Sequence, residues 1–172
     1  KWHEKQYIET LANKLIIQGK KDNQGKPDGT FAPGEEMTRA QFTSLLVKAL
    51  ALASGNNGKS FPDVKESDWF KVELDAAVEY GIITGKPDGR FAPNESVTRS
   101  QVAIMLHRAM QLNFIKDMTK VNTDKKEFTD VSKLDANTKA AIEAMYQAGI
   151  IQGKPDGTFD PNGTTLRNHM AK

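Results

Sequence analysis

The apolar positions of the chain fall into short helical stripes that recur. Between residues 67 and 80, Trp69, Val72, Ala76, Ala77 and Tyr80 stand three or four apart, the spacing of one helix face. Asp63, Glu66 and Asp68 lie near its start, where negative charge complements the helix dipole. Gly81 follows and can take the left-handed conformation that closes a helix. Ala141, Ile142, Met145 and Ala148 repeat the stripe and run up to Gly149. Ile8, Leu11 and Leu15 form a third, with Leu15 where the others have Gly, so this helix should end differently. A second kind of stripe comprises Phe42, Leu45, Leu46, Ala49 and Leu50, and again Val102, Met105, Leu106 and Ala109. Each opens with a Thr answered three residues later by Gln, the capping box that starts a helix: Thr38 with Gln41, Thr98 with Gln101. Leu166 and His169 stand at the corresponding places near the end of the chain, which weakens that helix start.

Between the two kinds of helix lies a short segment written three times. Gly25-Lys26-Pro27-Asp28-Gly29-Thr30-Phe31 returns as Gly85-Lys86-Pro87-Asp88-Gly89-Arg90-Phe91 and as Gly153-Lys154-Pro155-Asp156-Gly157-Thr158-Phe159. Ile-Ile pairs precede each copy (Ile16-Ile17, Ile82-Ile83, Ile150-Ile151). An Arg stands eight residues after each Phe: Arg39, Arg99 and Arg167. Pro presets the backbone for a turn, Asp suits the next position and Gly supplies positive φ, so the segment reads as a tight turn or very short hairpin. The Phe behind it can fold onto the core. A further signature, Phe61-Pro62-Asp63-Val64 and Phe128-Thr129-Asp130-Val131, opens the second and third copies.

Self-similarity at this level predicts three copies of one unit, at 1–52, 61–112 and 128–172, together forming one compact body. The first reads as incomplete at its start and carries extra residues at 20–24; the third reads as incomplete at its end. Linkers at 53–60 and 113–127 join them. Each unit is helix, turn, helix, with faces too small for a core of its own, so stacking must bury them. The expected fold is mainly α: three helix-turn-helix repeats in a pseudo-threefold bundle with very short extended segments. At three copies, a closed arrangement uses the faces better than a line.

Composition narrows function. With 24 basic against 22 acidic residues the net charge is +2, and the two signs are interspersed, which argues against a nucleic-acid partner. No apolar run is long enough for a membrane span. The chain opens on Lys1 rather than Met, so a targeting peptide would lie outside this sequence. Cys is absent, which removes thiolate metal sites and thiol nucleophiles. His3, His107 and His169 occupy non-equivalent places and no Ser sits in a nucleophile elbow. The Gly-Lys-Pro-Asp-Gly turn lacks the Gly-Lys-Ser/Thr ending of a phosphate loop. Residues 22–29 resemble a calcium loop without its twelfth-position Glu. We expect no catalytic residues, cofactor or metal; a hydrolase would need two carboxylates across a cleft, and the repeated Asp residues lie in turns and helix starts.

The repeated Arg stands at the first turn of a helix, where positive charge opposes the dipole. Something negative should lie near it. One candidate is an internal carboxylate, such as Asp63 or Asp130 of a neighbouring unit. The other is an external anion, held by the guanidinium together with free helix-end amides. Trp69 is open in the same way: core residue, or a flat platform for a sugar ring at a groove edge. The Pro-Asp-Gly turn reads as structural, although Lys86 and Lys154 beside it could lend charge to a groove.

Phe-x-Asp-Val, then Trp, then Gly-Ile-Ile-x-Gly-x-Pro-Asp-Gly-x-Phe-x-Pro, then Thr-Arg together resemble the S-layer homology family, most completely over 61–112. Departures are Gln41 and Gln101 in place of Glu, the insertion in the first copy, and Leu166-Arg167-Asn168-His169 in the third. The resemblance implies a pseudo-threefold bundle with grooves between lobes and non-covalent anchoring at the bacterial cell wall. The implied ligand is a secondary cell wall polysaccharide carrying pyruvate ketals, themselves carboxylates. By position, Arg39, Arg99 and, least securely, Arg167 would pair with the ketal; Trp69, Gly85, Lys86, Gly153 and Lys154 would be groove residues. Neighbouring S-layer subunits are possible further partners. The alternative is an assembly module in which the arginines form internal ion pairs.

Overall fold

The computed structural model describes residues 19, 29–55, 59–112 and 124–169. The stripe of Ile8, Leu11 and Leu15, the extra residues at 20–24, most of the 22–29 segment and much of the second linker lie outside the described residues. Among the described residues four helices are seen: α1 (Arg39–Ala49), α2 (Lys71–Glu79), α3 (Arg99–Gln111) and α4 (Ala136–Gln147). Both predicted capping boxes are present. Thr38 Oγ1 accepts from the Gln41 amide at 3.2 Å and Thr98 Oγ1 from the Gln101 amide at 3.3 Å, and each Gln side chain answers the backbone of its Thr. Gly81 and Gly149 close α2 and α4 with φ of 70° and 71°.

The centre is a three-way junction of single residues rather than a sheet. The Met37 amide donates to the Thr165 carbonyl at 2.8 Å, the Thr165 amide to Val97 at 3.1 Å, and the Val97 amide to Met37 at 2.8 Å. The cycle closes on itself, one residue from each unit, and all three are buried. Isolated bridges Glu36–Leu166, Thr38–Ser96 and Thr98–Thr164 flank it. At the next equivalent position the Glu36 carboxylate accepts both the Ser96 and the Thr164 hydroxyls. This is the closed pseudo-threefold arrangement, with extended segments no longer than a bridge among the described residues. A three-membered ring of backbone hydrogen bonds satisfies every member only when all three units are in place.

Packing crosses the repeat boundaries. The second helix of one unit lies on the first helix of the next: α1 against α2, and α3 against α4. Lys48 of α1 pairs with Glu73 of α2 at 3.3 Å. The larger core gathers Phe42, Leu46, Phe61, Phe70, Leu74, Ile82, Phe91 and Met105; a smaller one gathers Ala103, Phe128, Ile142, Met145 and Phe159.

The sequence stripes need three corrections. Helix α2 begins at Lys71, so Trp69 precedes it; Trp69 is 63% exposed and Val72 71%, while Leu74, outside the predicted stripe, is buried. In α1, Ala49 is exposed and Thr43, Ser44 and Val47 are buried, because the helix is covered on more than one side. Around Arg167 the described residues form a turn rather than a full helix.

Phe-x-Asp-Val and the Pro-Asp-Gly turn are halves of one local structure. Asp63 Oδ1 and Oδ2 accept from the Phe91 and Ala92 amides at 2.9 and 2.7 Å, and Asp130 does the same for Phe159 and Asp160 at 2.8 and 2.7 Å. The ring of Phe61 packs on Phe91 at 5.9 Å, and that of Phe128 on Phe159 at 5.5 Å. The turns are very short hairpins, closed by Lys86 N to Arg90 O at 2.8 Å and Lys154 N to Thr158 O at 2.7 Å.

Candidate functional site: the arginines at the repeat boundaries

Each signature arginine reaches into the following unit. Arg39 Nε donates to the Phe91 carbonyl, Arg99 Nε to Phe159, and Arg167 Nε to Phe31, each at 2.8 Å. Each guanidinium also lies over the ring of that Phe, at 5.3, 4.9 and 4.7 Å. Arg99 gains a further bond from Nη2 to the Gln152 carbonyl at 2.8 Å. Arg167 therefore takes the place of the other two despite its altered surroundings; like Arg39 it is only 6% exposed.

The two candidate partners of these charges both need revision. Asp63 and Asp130 are spent on backbone amides, not on the guanidinium groups. Among the described residues no carboxylate comes within ion-pair distance of Arg39 or Arg99. The helix-end amides are not free either. Those of Arg39 and Ala40 donate to the Glu95 and Pro93 carbonyls at 2.9 and 3.1 Å, and those of Arg99 and Ser100 to Gly163 and Pro161 at 2.8 and 3.0 Å. An anion here would not meet free amides at the helix start. Burial lowers the pKa of all three guanidinium groups, opposed by the field of Glu95 and Asp63 at Arg39, of Asp160 and Asp130 at Arg99, and of Glu35 at Arg167. Arginine nonetheless stays charged at physiological pH.

Beside Arg39 lies a hollow of about 240 Å³. Its walls are Arg39 of the first unit, the segment from Ile82 to Pro87 of the second, and Gln101, Ile104, Met105 and Arg108 of α3. The structure thus brings Arg39, Gly85 and Lys86 together. Trp69 is not part of this lining; its ring meets Phe70 edge-on at 5.3 Å and is otherwise exposed. Gly85 has a packing reason of its own. Its φ is +82°, and a Cβ there would come 2.6 Å from the Phe61 ring. A Cβ on Gly153 would come 2.1 Å from Phe128. The turn lysines are occupied: Lys86 pairs with Glu95 at 2.6 Å, and Lys154 with Asp160. Arg108, Thr84 and Ile104 were missed from sequence, since none belongs to the repeated signature; Arg108 betrays itself only by lying on the helix that Arg99 begins.

A ring of three mainly helical repeats, each lending an arginine to the next, defines a repeat-built module with a cationic hollow at a boundary. A family model, that of the S-layer homology domain, matches residues 24–43, 60–103 and 127–171. An endoglucanase of a Bacillus species is 34% identical over 96% of this chain, which spans 17% of that protein. The surface-layer 125 kDa protein of Lysinibacillus sphaericus is 30% identical over 97% of the chain, which spans 13% of it. A cellulosome-anchoring protein of Acetivibrio thermocellus is 28% identical over 83% of the chain, which spans 32% of it. The chain belongs to the S-layer homology family. It is a cell-surface anchoring module, extracellular and associated with the cell wall.

Proposed function

We propose that the module anchors its protein by binding an anionic secondary cell wall polysaccharide, with pyruvate-ketal carboxylates seated beside the boundary arginines. The observation that carries this reading is the state of Arg39. Its guanidinium is fixed by a neutral carbonyl, has no carboxylate partner among the described residues, and borders a hollow floored by Ile82, Ile83 and Met105. A ketal offers the two complements, a carboxylate for the guanidinium and a methyl group for the apolar floor.

Arg99 and Arg167 would serve the other two boundaries in the same way. Gly85 and Gly153 let the turns pack against Phe61 and Phe128, and Lys86 and Lys154 add positive field at the rim. Trp69, exposed on the surface, offers a ring face to a sugar further along the polymer. The units at 1–52, 61–112 and 128–172 act as one body, and any enzymatic activity belongs to other parts of the protein, as the enzyme names among the longer relatives suggest. Neighbouring surface-layer subunits would be secondary partners. The alternative, internal ion pairing of the arginines, finds no support at Arg39 or Arg99.

Sedimentation with protein-free wall polymer tests the reading. Arg39→Gln should reduce the bound fraction with helix content unchanged by circular dichroism, and Arg39→Lys should fall between the two. Equal binding by Arg39→Gln and the parent would refute the pairing.

A further inference from the structure

Arg108 is the second guanidinium of the hollow. It stands nine residues after Arg99 on α3 and enters from the opposite unit to Arg39. Its Nη1 donates to the Ile82 carbonyl at 3.0 Å, with Thr84 Oγ1 at 3.5 Å. One end of the fork is thereby pinned by neutral oxygens, while Nε and Nη2 have no partner among the described residues. Arg39 is held alike, through Nε alone, which leaves its two terminal nitrogens. Lys86, the third cation, differs: its ammonium is matched by Glu95 at 2.6 Å.

Two guanidinium groups on one small hollow repel each other. Each keeps a planar N–H edge suited to a carboxylate. Among the described residues the arrangement is not repeated on α1. Lys48 holds the corresponding place in α1 and is committed to Glu73 at 3.3 Å. The hollow beside Arg39 therefore has an arginine with free N–H groups at a place where α1 has a lysine already paired.

We infer that Arg108 is a second anion-binding residue, and that with Arg39 it selects a glycan segment bearing two acid groups, Lys86 making no direct contact. The inference rests on the anchoring function proposed above. It names which side chains touch the polymer and how many charges the hollow accepts.

Calorimetric titration uses two probes, a single pyruvate-ketal monosaccharide and an oligosaccharide of the same sugar carrying two ketals. The parent chain should bind the two-ketal probe about tenfold more tightly than the single one. Arg108→Gln should abolish that preference and retain the single-ketal affinity; Arg39→Gln should weaken both. Lys86→Gln should alter neither by more than about twofold. Because Arg108 also ties α3 to Ile82, Arg108→Lys is run beside it; it keeps the charge and a donor and should keep part of the preference. An equal loss on both probes in Arg108→Gln would mark a strut and overturn the inference, as would unchanged binding or a larger loss in Lys86→Gln. If the parent binds neither probe, the anchoring function falls, and this inference with it.

Discussion

At the scale of single residues, the informative signal was an arginine in an electrostatically poor place, repeated. Its position was legible; its partner was not. Asp63 and Asp130 were natural candidates by charge, yet a carboxylate with two oxygens is also the natural clamp for two adjacent amides, and that is how both are used. Trp69 was misplaced because a stripe that counts only apolar residues cannot tell a residue before a helix from one on its face. Two predictions belong here. Glu95 matches Lys86 and is the leading acid acting on Arg39. Glu95→Gln should therefore strengthen binding of the acidic polymer about threefold by titration, at little cost in melting temperature; weaker binding would count against the electrostatic account. Burial pushes the Asp63 carboxyl up, but the Phe91 and Ala92 amides and the Arg90 charge outweigh it, so its pKa lies below the ordinary value. A depressed folded pKa gives stability that is complete above the unfolded carboxylate range, near pH 4, and is lost as pH falls through the folded value. Asp63→Asn should cost about 1–2 kcal/mol at neutral pH and flatten the acid limb of the melting profile. An unchanged acid limb would remove Asp63 from the clamp.

At the scale of elements, helix starts and stops were read more faithfully than helix faces. The Thr–Gln boxes and the closing glycines are local chemistry and need nothing from the rest of the fold. Faces depend on neighbours, and α1 has neighbours on several sides, which buries Thr43 and Ser44 and leaves Ala49 exposed. The bond between Phe-x-Asp-Val and the turn was present in the sequence as a fixed co-occurrence, but its geometry was not. Gly153→Ala tests that geometry. The new methyl would meet the ring of Phe128, which is itself packed between Phe159 and Tyr146 and cannot swing away cheaply. A loss of about 2 kcal/mol in denaturant unfolding is expected. A neutral result would mean that the Phe128 contact is loose.

At the scale of the whole molecule, copy number followed from the repeated segments and a closed threefold from the faces they must bury, while the device that closes it did not. The cycle through Met37, Val97 and Thr165 is made of backbone groups, which leave no mark on sequence. Pairing of α1 with α2 and of α3 with α4 means that a repeat in sequence is not a packing unit in space. A fragment spanning 61–112 should accordingly show little helix by circular dichroism, whereas the chain should unfold in one transition; a stable isolated fragment would contradict the shared core. The claim on which function depends is that Arg39 and Arg99 receive acid groups of the wall glycan. Titration of the chain with wall polymer before and after chemical removal of its pyruvate ketals tests it most directly. The account predicts saturable binding to the intact polymer and its loss on the stripped one; equal affinity for both would contradict it.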